Sequence, residues 1–231
     1  MANRLMMNIR VPRSGFKENR MCGGCSKHVT GLRSCRGLDA HGPYMPPRAM
    51  SLRVFAALPV PDEIAERVLP LMKGVPGAKW RPRENFHITL AFYGDLDETV
   101  IETLDAELGR ITHAPFDLRL KGANHFGHDD PHALWLGVEE NPSLAGLARR
   151  CRRAAHEAGV EMKRRVYTPH LTLAYLAPGS DAGRIAAFER RLNLYTSEAF
   201  TADRFHLYSS HGRKSGKPNA YEIEAVYPLT H

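Results

Sequence analysis

Cysteine is scarce, and what there is sits badly for a disulfide framework. Of four in 231 residues, Cys22, Cys25 and Cys35 fall within the first fifty and only Cys151 lies beyond. That distribution argues against a disulfide-built scaffold and makes a reducing, cytoplasmic setting the expectation. Long apolar runs are missing too: no stretch of about 18 such residues occurs, so no membrane-crossing helix is indicated. The opening Met1-Ala2-Asn3-Arg4-Leu5-Met6-Met7 lacks the apolar segment of a secretory signal. Acidic residues are sparse only at the start, where residues 1–50 hold nine Lys/Arg against two acids. The formal net charge of +7 resides there, because the remaining 181 residues carry 23 charges of each sign. Beyond residue 50 no general attraction for a polyanion exists, so any nucleic-acid contact must be local.

Residues 1–50 also lack any sustained period of 2 or 3.6. They are rich in Gly, Arg and Met and end in Pro46-Pro47-Arg48, which reads as a mostly disordered basic extension. Six of the eight methionines lie here, and Met50-Ser51 directly precedes the first regular pattern. The expectation is a working protein that begins near Met50, with the preceding segment arising from an upstream start codon. A targeting presequence is the alternative. A zinc site built from Cys22, Cys25 and Cys35 with His28 or His41 is a further one.

From Leu52 onward the pattern is that of an ordinary globular chain, with 43% hydrophobic and 25% charged residues overall. Strands are expected at 52–58, 86–93, 116–120, 133–138, 170–176, 200–208 and 221–227. Helices are expected at 62–73, from Asp97 as N-cap to Ile111, from Asn141-Pro142 to Gly159, and at 181–193. Each half thus repeats strand–helix–strand–helix. This order predicts an α+β fold: a pseudo-symmetric two-lobed domain over 51–231, antiparallel sheets lining a central cleft, helices packed outside.

Two runs stand out against that frame, His87-Ile88-Thr89-Leu90 and His170-Leu171-Thr172-Leu173. Each is followed directly by Ala and an aromatic, Ala91-Phe92 and Ala174-Tyr175. Strand side chains alternate faces. Each His therefore shares a face with the Thr two residues on, while Ile88, Leu90, Leu171 and Leu173 point into a core. A single His-x-Thr is commonly a structural pair; two on equivalent strands offer an acid and a base to one cleft. Imidazole titrates near pH 6.5, so one ring can be neutral while its partner is protonated. That suits displacement at phosphorus, with Thr89 and Thr172 donating to the non-bridging oxygens. No step requires a metal, and no cofactor is expected.

These residues, with the runs around them, resemble the two-histidine phosphoesterase superfamily and its RNA 2′,3′-cyclic phosphodiesterase (2′-5′ RNA ligase) branch. The resemblance spans about residues 51–229. It rests on Arg53-Val54-Phe55-Ala56-Ala57-Leu58-Pro59, Trp80 through Glu84-Asn85-Phe86 into His87, Leu134-Trp135-Leu136-Gly137-Val138, Pro169-His170-Leu171-Thr172-Leu173-Ala174, and Phe205-His206-Leu207-Tyr208-Ser209-Ser210. It implies hydrolysis of RNA 2′,3′-cyclic phosphate ends to 2′-phosphates without cofactor. A monomer with no obligate protein partner is the separate expectation. It also implies His87 as proton donor to the 3′ oxygen and His170 as acceptor from water. One departure is Tyr175, where many relatives place arginine after the second motif; Arg164 or Arg165 is the expected substitute.

Phe126 is the expected base-stacking platform, within a loop at 124–132 whose His125, His128 and His132 could alternatively hold a metal. Arg149, Arg150, Arg152 and Arg153 read as a solvated helix face, with RNA backbone contact as the alternative. Arg213, Lys214 and Lys217 fall in a turn between the last strands that could approach an RNA end. Rival functions are 2′-5′ ligation, action on small cyclic phosphates or 2′-5′ linked oligonucleotides, non-catalytic RNA-end binding, and zinc-dependent nucleic-acid binding through the N-terminal cysteines.

Overall fold

A computed structural model describes residues 51–163, 166–212 and 219–230. The expectations for residues 1–50, for Arg164 and Arg165, and for Arg213, Lys214 and Lys217 lie outside the described residues.

Along the described chain come β1 (Ser51–Pro59), α1 (Asp62–Val68), β2 (Lys79–Trp80), β3 (His87–Asp97), α2 (Glu98–Leu108), β4 (Phe116–Leu118), β5 (Leu120–Phe126) and β6 (Ala133–Val138). Then follow α3 (Pro142–Glu157), β7 (His170–Tyr175), α4 (Ala182–Leu192), β8 (Phe200–Ala202), β9 (Arg204–His211) and β10 (Ala220–Pro228). The expected order holds in both halves, as β1-α1-β3-α2 and β6-α3-β7-α4.

Local chemistry accounts for most boundaries. The N-cap of α3 is Asn141, whose side chain accepts from the Leu144 N–H, with Pro142 at the first helical position. Asp181 caps α4 in the same way through Arg184. Asp97 occupies the cap position of α2 but makes no side-chain capping bond, and β3 runs straight into the helix. The first helix stops at Val68, short of the expected 73, and tightens into a 3-10 turn at Leu69–Leu71. Pro70 has no N–H to continue the α-helical ladder.

The main sheet has the order β10-β9-β1-β3-β7-β6-β5, with β2 also paired to β7, and β4 and β8 form a separate two-stranded sheet. Every pairing is antiparallel. One lobe is β10-β9-β1-β3 and the other β7-β6-β5. They join at a single register pair, Ile88 with Leu171. Both side chains are fully buried, on the same face as Val54, Leu58, Leu90, Leu136 and Leu173, and this face is covered by helices. There α3 packs on β3 and α2, and α4 on β5. Among the described residues nothing covers the opposite face at the lobe junction.

The segment 124–132 is only partly the expected loop. Asn124, His125 and Phe126 belong to β5, paired with Trp135, Leu134 and Ala133 of β6. Pairing with the apolar β6 draws the polar Asn124 and His125 into its ladder, although Asn in particular is disfavoured in strands. Gly127 ends the strand with φ +93, and a Cβ there would come within 2.1 Å of the Asp130 carbonyl. Only glycine fits.

Candidate active site

Because Ile88 and Leu171 pair across the junction, the residues on either side of them project together to the open face. A local two-fold relation through that pair brings His87 and Thr89 of β3 to the same cleft as His170 and Thr172 of β7. The cleft has a volume of about 280 Å³, and all four residues line it. Beyond Leu171, β3 and β7 separate. The vacated flank of β7 is taken by β2, whose Lys79 and Trp80 pair with Tyr175 and Ala174. The ladder continues through an Arg81 N–H bond to the Leu173 carbonyl at 2.8 Å, which brings Arg81 to the cleft wall.

The two rings are held alike. His87 Nδ1–H donates to the Asn85 carbonyl at 2.8 Å, and His170 Nδ1–H donates to the Thr168 carbonyl at 2.7 Å. A carbonyl only accepts, so each neutral ring carries its proton on Nδ1 and leaves Nε2 as a lone pair. Asn85 is itself anchored, because its side-chain amide donates to the Asn219 carbonyl at 3.0 Å.

Aromatic walls fix the ring planes. Phe55 lies 4.9 Å from the His87 ring and Tyr221 meets it edge-on at 5.2 Å. Around His170 stand Phe126, edge-on at 4.8 Å, and Trp135 at 5.8 Å. Burial penalises the imidazolium and pushes His87 down to about 4, with the Arg81 charge and then His170 adding to the effect. Burial also lowers His170. Both rings are thus neutral bases at pH 7 in the protein alone.

The other expected contacts sort themselves differently. Phe126, expected as a base platform, stands partly exposed against the rings of His170 and Trp135. The half-exposed aromatics on the cleft are Phe92 and Tyr175, which hold equivalent places five residues after the two histidines. Arg149, Arg150 and Arg153 are exposed as expected. The histidines of 124–132 turn apart, His125 to Glu189 at 2.6 Å and His128 to Asp129 at 2.8 Å. Among the described residues a tighter grouping is His211, Glu222 and Glu224, with ligand atoms within 4.8 Å of one another. Strand alternation sets His211 and Glu222 on the face opposite the cleft-lining Ser210 and Tyr221.

Missed by sequence reasoning were Arg81, Asn85 in its anchoring role, Phe55 and Tyr221. Arg81 is 6% exposed and donates through Nη2 to the Tyr221 hydroxyl at 3.1 Å. Its guanidinium lies over the Tyr175 ring at 5.3 Å and the Tyr221 ring at 5.4 Å. Nothing in Lys79-Trp80-Arg81-Pro82-Arg83 separates it from its basic neighbours. The outward side of the strand here is the cleft, and only the topology reveals that.

Residues 60–214 match the family described as the 2′-5′ RNA ligase superfamily. The chain belongs to this superfamily. Among its superfamily relatives, the RNA 2′,3′-cyclic phosphodiesterase of Bacillus subtilis is 31% identical over 170 residues, covering 71% of this chain and 90% of that protein. The protein of the same description from Thermotoga maritima is 28% identical, over 69% of this chain and 87% of its own length. Among solved structures, Escherichia coli LigT complexed with 3′-AMP superposes with a TM-score of 0.66 at 26% identity. That superposition covers 78% of this chain and 99% of that one.

Proposed function

We propose that this chain hydrolyses RNA 2′,3′-cyclic phosphodiester ends to 2′-phosphomonoesters, by acid–base catalysis from His87 and His170 and without a metal ion. The observation that carries the reading is the pair of imidazoles, each locked through Nδ1 to the carbonyl two residues before it, sharing one cleft. Water attacks phosphorus in line with the 3′ oxygen and His170 Nε2 takes its proton. The bond from phosphorus to the 3′ oxygen breaks, and His87 delivers a proton to that oxygen, leaving a free 3′-hydroxyl and a 2′-phosphate. Thr89 and Thr172 donate to the non-bridging oxygens as negative charge grows there. His87 is neutral in the protein alone, so the anionic substrate supplies the field that favours its imidazolium. Strain in the five-membered ring lowers the barrier to opening, which removes the need for a Lewis acid.

Relatives described as RNA 2′,3′-cyclic phosphodiesterases support the substrate class. The described residues from Ser51 onward fall in one compact unit, which supports a functional domain over 51–231. In this reading the protein acts in the cytoplasm, as a monomer, on RNA ends, with no protein partner. Tyr175 contacts substrate from the cleft rim; Arg165, the other expected contact, lies outside the described residues. No described helix is long and apolar enough to cross a membrane.

His87→Ala and His170→Ala test the mechanism on cyclic-phosphate-ended RNA. Each should lower kcat/KM by about two orders of magnitude or more while the RNA end still binds. A diester with a nitrophenolate leaving group, which departs without protonation, should restore His87→Ala but not His170→Ala. Turnover surviving either change on RNA removes the proposal, and the opposite rescue pattern reverses the two roles.

A further inference from the structure

We propose that Arg81 grips the substrate phosphoryl group, held ready for it between the rings of Tyr175 and Tyr221. The inference rests on the phosphodiesterase reading and names a binding residue within that site. Arg81 as a residue is only 6% exposed, and a charge so placed is costly unless a counter-charge meets it. Among the described residues no carboxylate pairs with Arg81, and the Tyr221 hydroxyl is the one side chain that its guanidinium hydrogen-bonds. Arg83, two residues on, shows the contrast: it pairs with Asp62 and Glu66, each at 2.6 Å. The two ring faces offset part of the desolvation of Arg81 and hold its plane. They leave most of its N–H donors unspent in a cleft that also holds both histidines and both threonines. A planar fork of donors matches two phosphoryl oxygens at once.

The position explains two further features. Tyr175 fills the place where the resemblance expects arginine, and the guanidinium now stacked on its ring arrives from the end of β2 instead. The Arg81 charge also helps keep His87 neutral. A phosphoryl anion bound to Arg81 cancels that field, so gripping the substrate and protonating its acid become one event.

Arg81→Met, with inorganic phosphate as the probe in titration calorimetry, tests this. The variant should fold with a Tm at or above that of the wild type, since an uncompensated buried charge is gone. It should bind phosphate at least tenfold more weakly and lose about 100-fold or more in kcat/KM on a nucleoside 2′,3′-cyclic phosphate. Adding Tyr175→Arg to Arg81→Met returns a guanidinium to the same space and should recover tenfold or more. In the wild-type protein, which carries no folding risk, the Arg81 Nε–H resonance should shift in step with phosphate occupancy. A still resonance, or wild-type phosphate affinity in Arg81→Met, overturns the proposal. Should the wild type leave cyclic phosphates intact while phosphate still moves Arg81, the phosphodiesterase reading fails and the anion site stands. Normal turnover in Arg81→Met removes Arg81 alone.

Discussion

An imidazole with its Nδ1–H given to a carbonyl has one lone pair left to offer, and in this cleft two such lone pairs are available. Their common environment sets the pH response. Burial lowers both histidines, His87 to about 4, and kcat/KM reports the groups of the free protein. We therefore expect a bell-shaped kcat/KM with its maximum below pH 6.5, whichever ring is the acid. The kcat profile should peak higher, because bound anion favours both imidazolium forms. A kcat/KM maximum at or above pH 7 contradicts the burial account. The same shift acts on stability. Between about pH 6.5 and 4 the unfolded chain binds a proton at His87 that the native state refuses, so stability falls as pH drops through that window. His87→Ala should flatten this fall in urea titrations across the window; an unchanged slope denies that the ring is buried neutral. The histidines and threonines were legible in the sequence because alternation alone puts them on one face. Arg81 and Tyr221 were not, because their role depends on β2 crossing to β7 and β10 closing the far wall.

Among elements, those with strong periodicity or clear caps were readable, and tertiary pairing decided the rest. The order of strands and helices, and the span of β6, follow from alternation and capping. The length of α1 did not, because Pro70 breaks the ladder that the apolar period carries on to Lys73, and β5 did not, because its polar residues are strands only in the company of β6. Glycine at 137 belongs to this scale. It sits opposite His170 in the β6–β7 register, and a Cβ would come within 2.7 Å of the Lys121 carbonyl. Since backbone on β5 has no room to yield without breaking the ladder, Gly137→Ala should cost about 1–3 kcal/mol, as overpacked sites do. It should also lower kcat by shifting His170. A variant with unchanged Tm and kcat would show that the β5–β6 ladder gives way freely. Leu171→Ala removes one half of the pair joining the lobes and should cost about 2–5 kcal/mol in chemical denaturation; a loss below about 1 kcal/mol means that the joint is not packed as described.

At the scale of the whole molecule, two half-sites meet along one residue pair, and the proposed reaction needs both. This is why the duplicated motif was informative from sequence: a single His-Thr strand has no partner to take the second proton. What the sequence could not supply was the register, Ile88 on Leu171, that turns two similar strands into one site. The net charge resides in residues 1–50, which supply neither His-Thr pair, so deletion of residues 1–49 should leave kcat/KM within about twofold of the full chain. A folded truncation without turnover would place part of the machinery in the basic extension. The most direct test follows an RNA ending in a 2′,3′-cyclic phosphate by phosphorus NMR, in 18O-labelled water with a chelator present. The account predicts a 2′-phosphomonoester carrying one 18O per molecule, formed at the same rate with and without chelator. A 3′-phosphomonoester, or turnover that depends on added divalent metal, contradicts it.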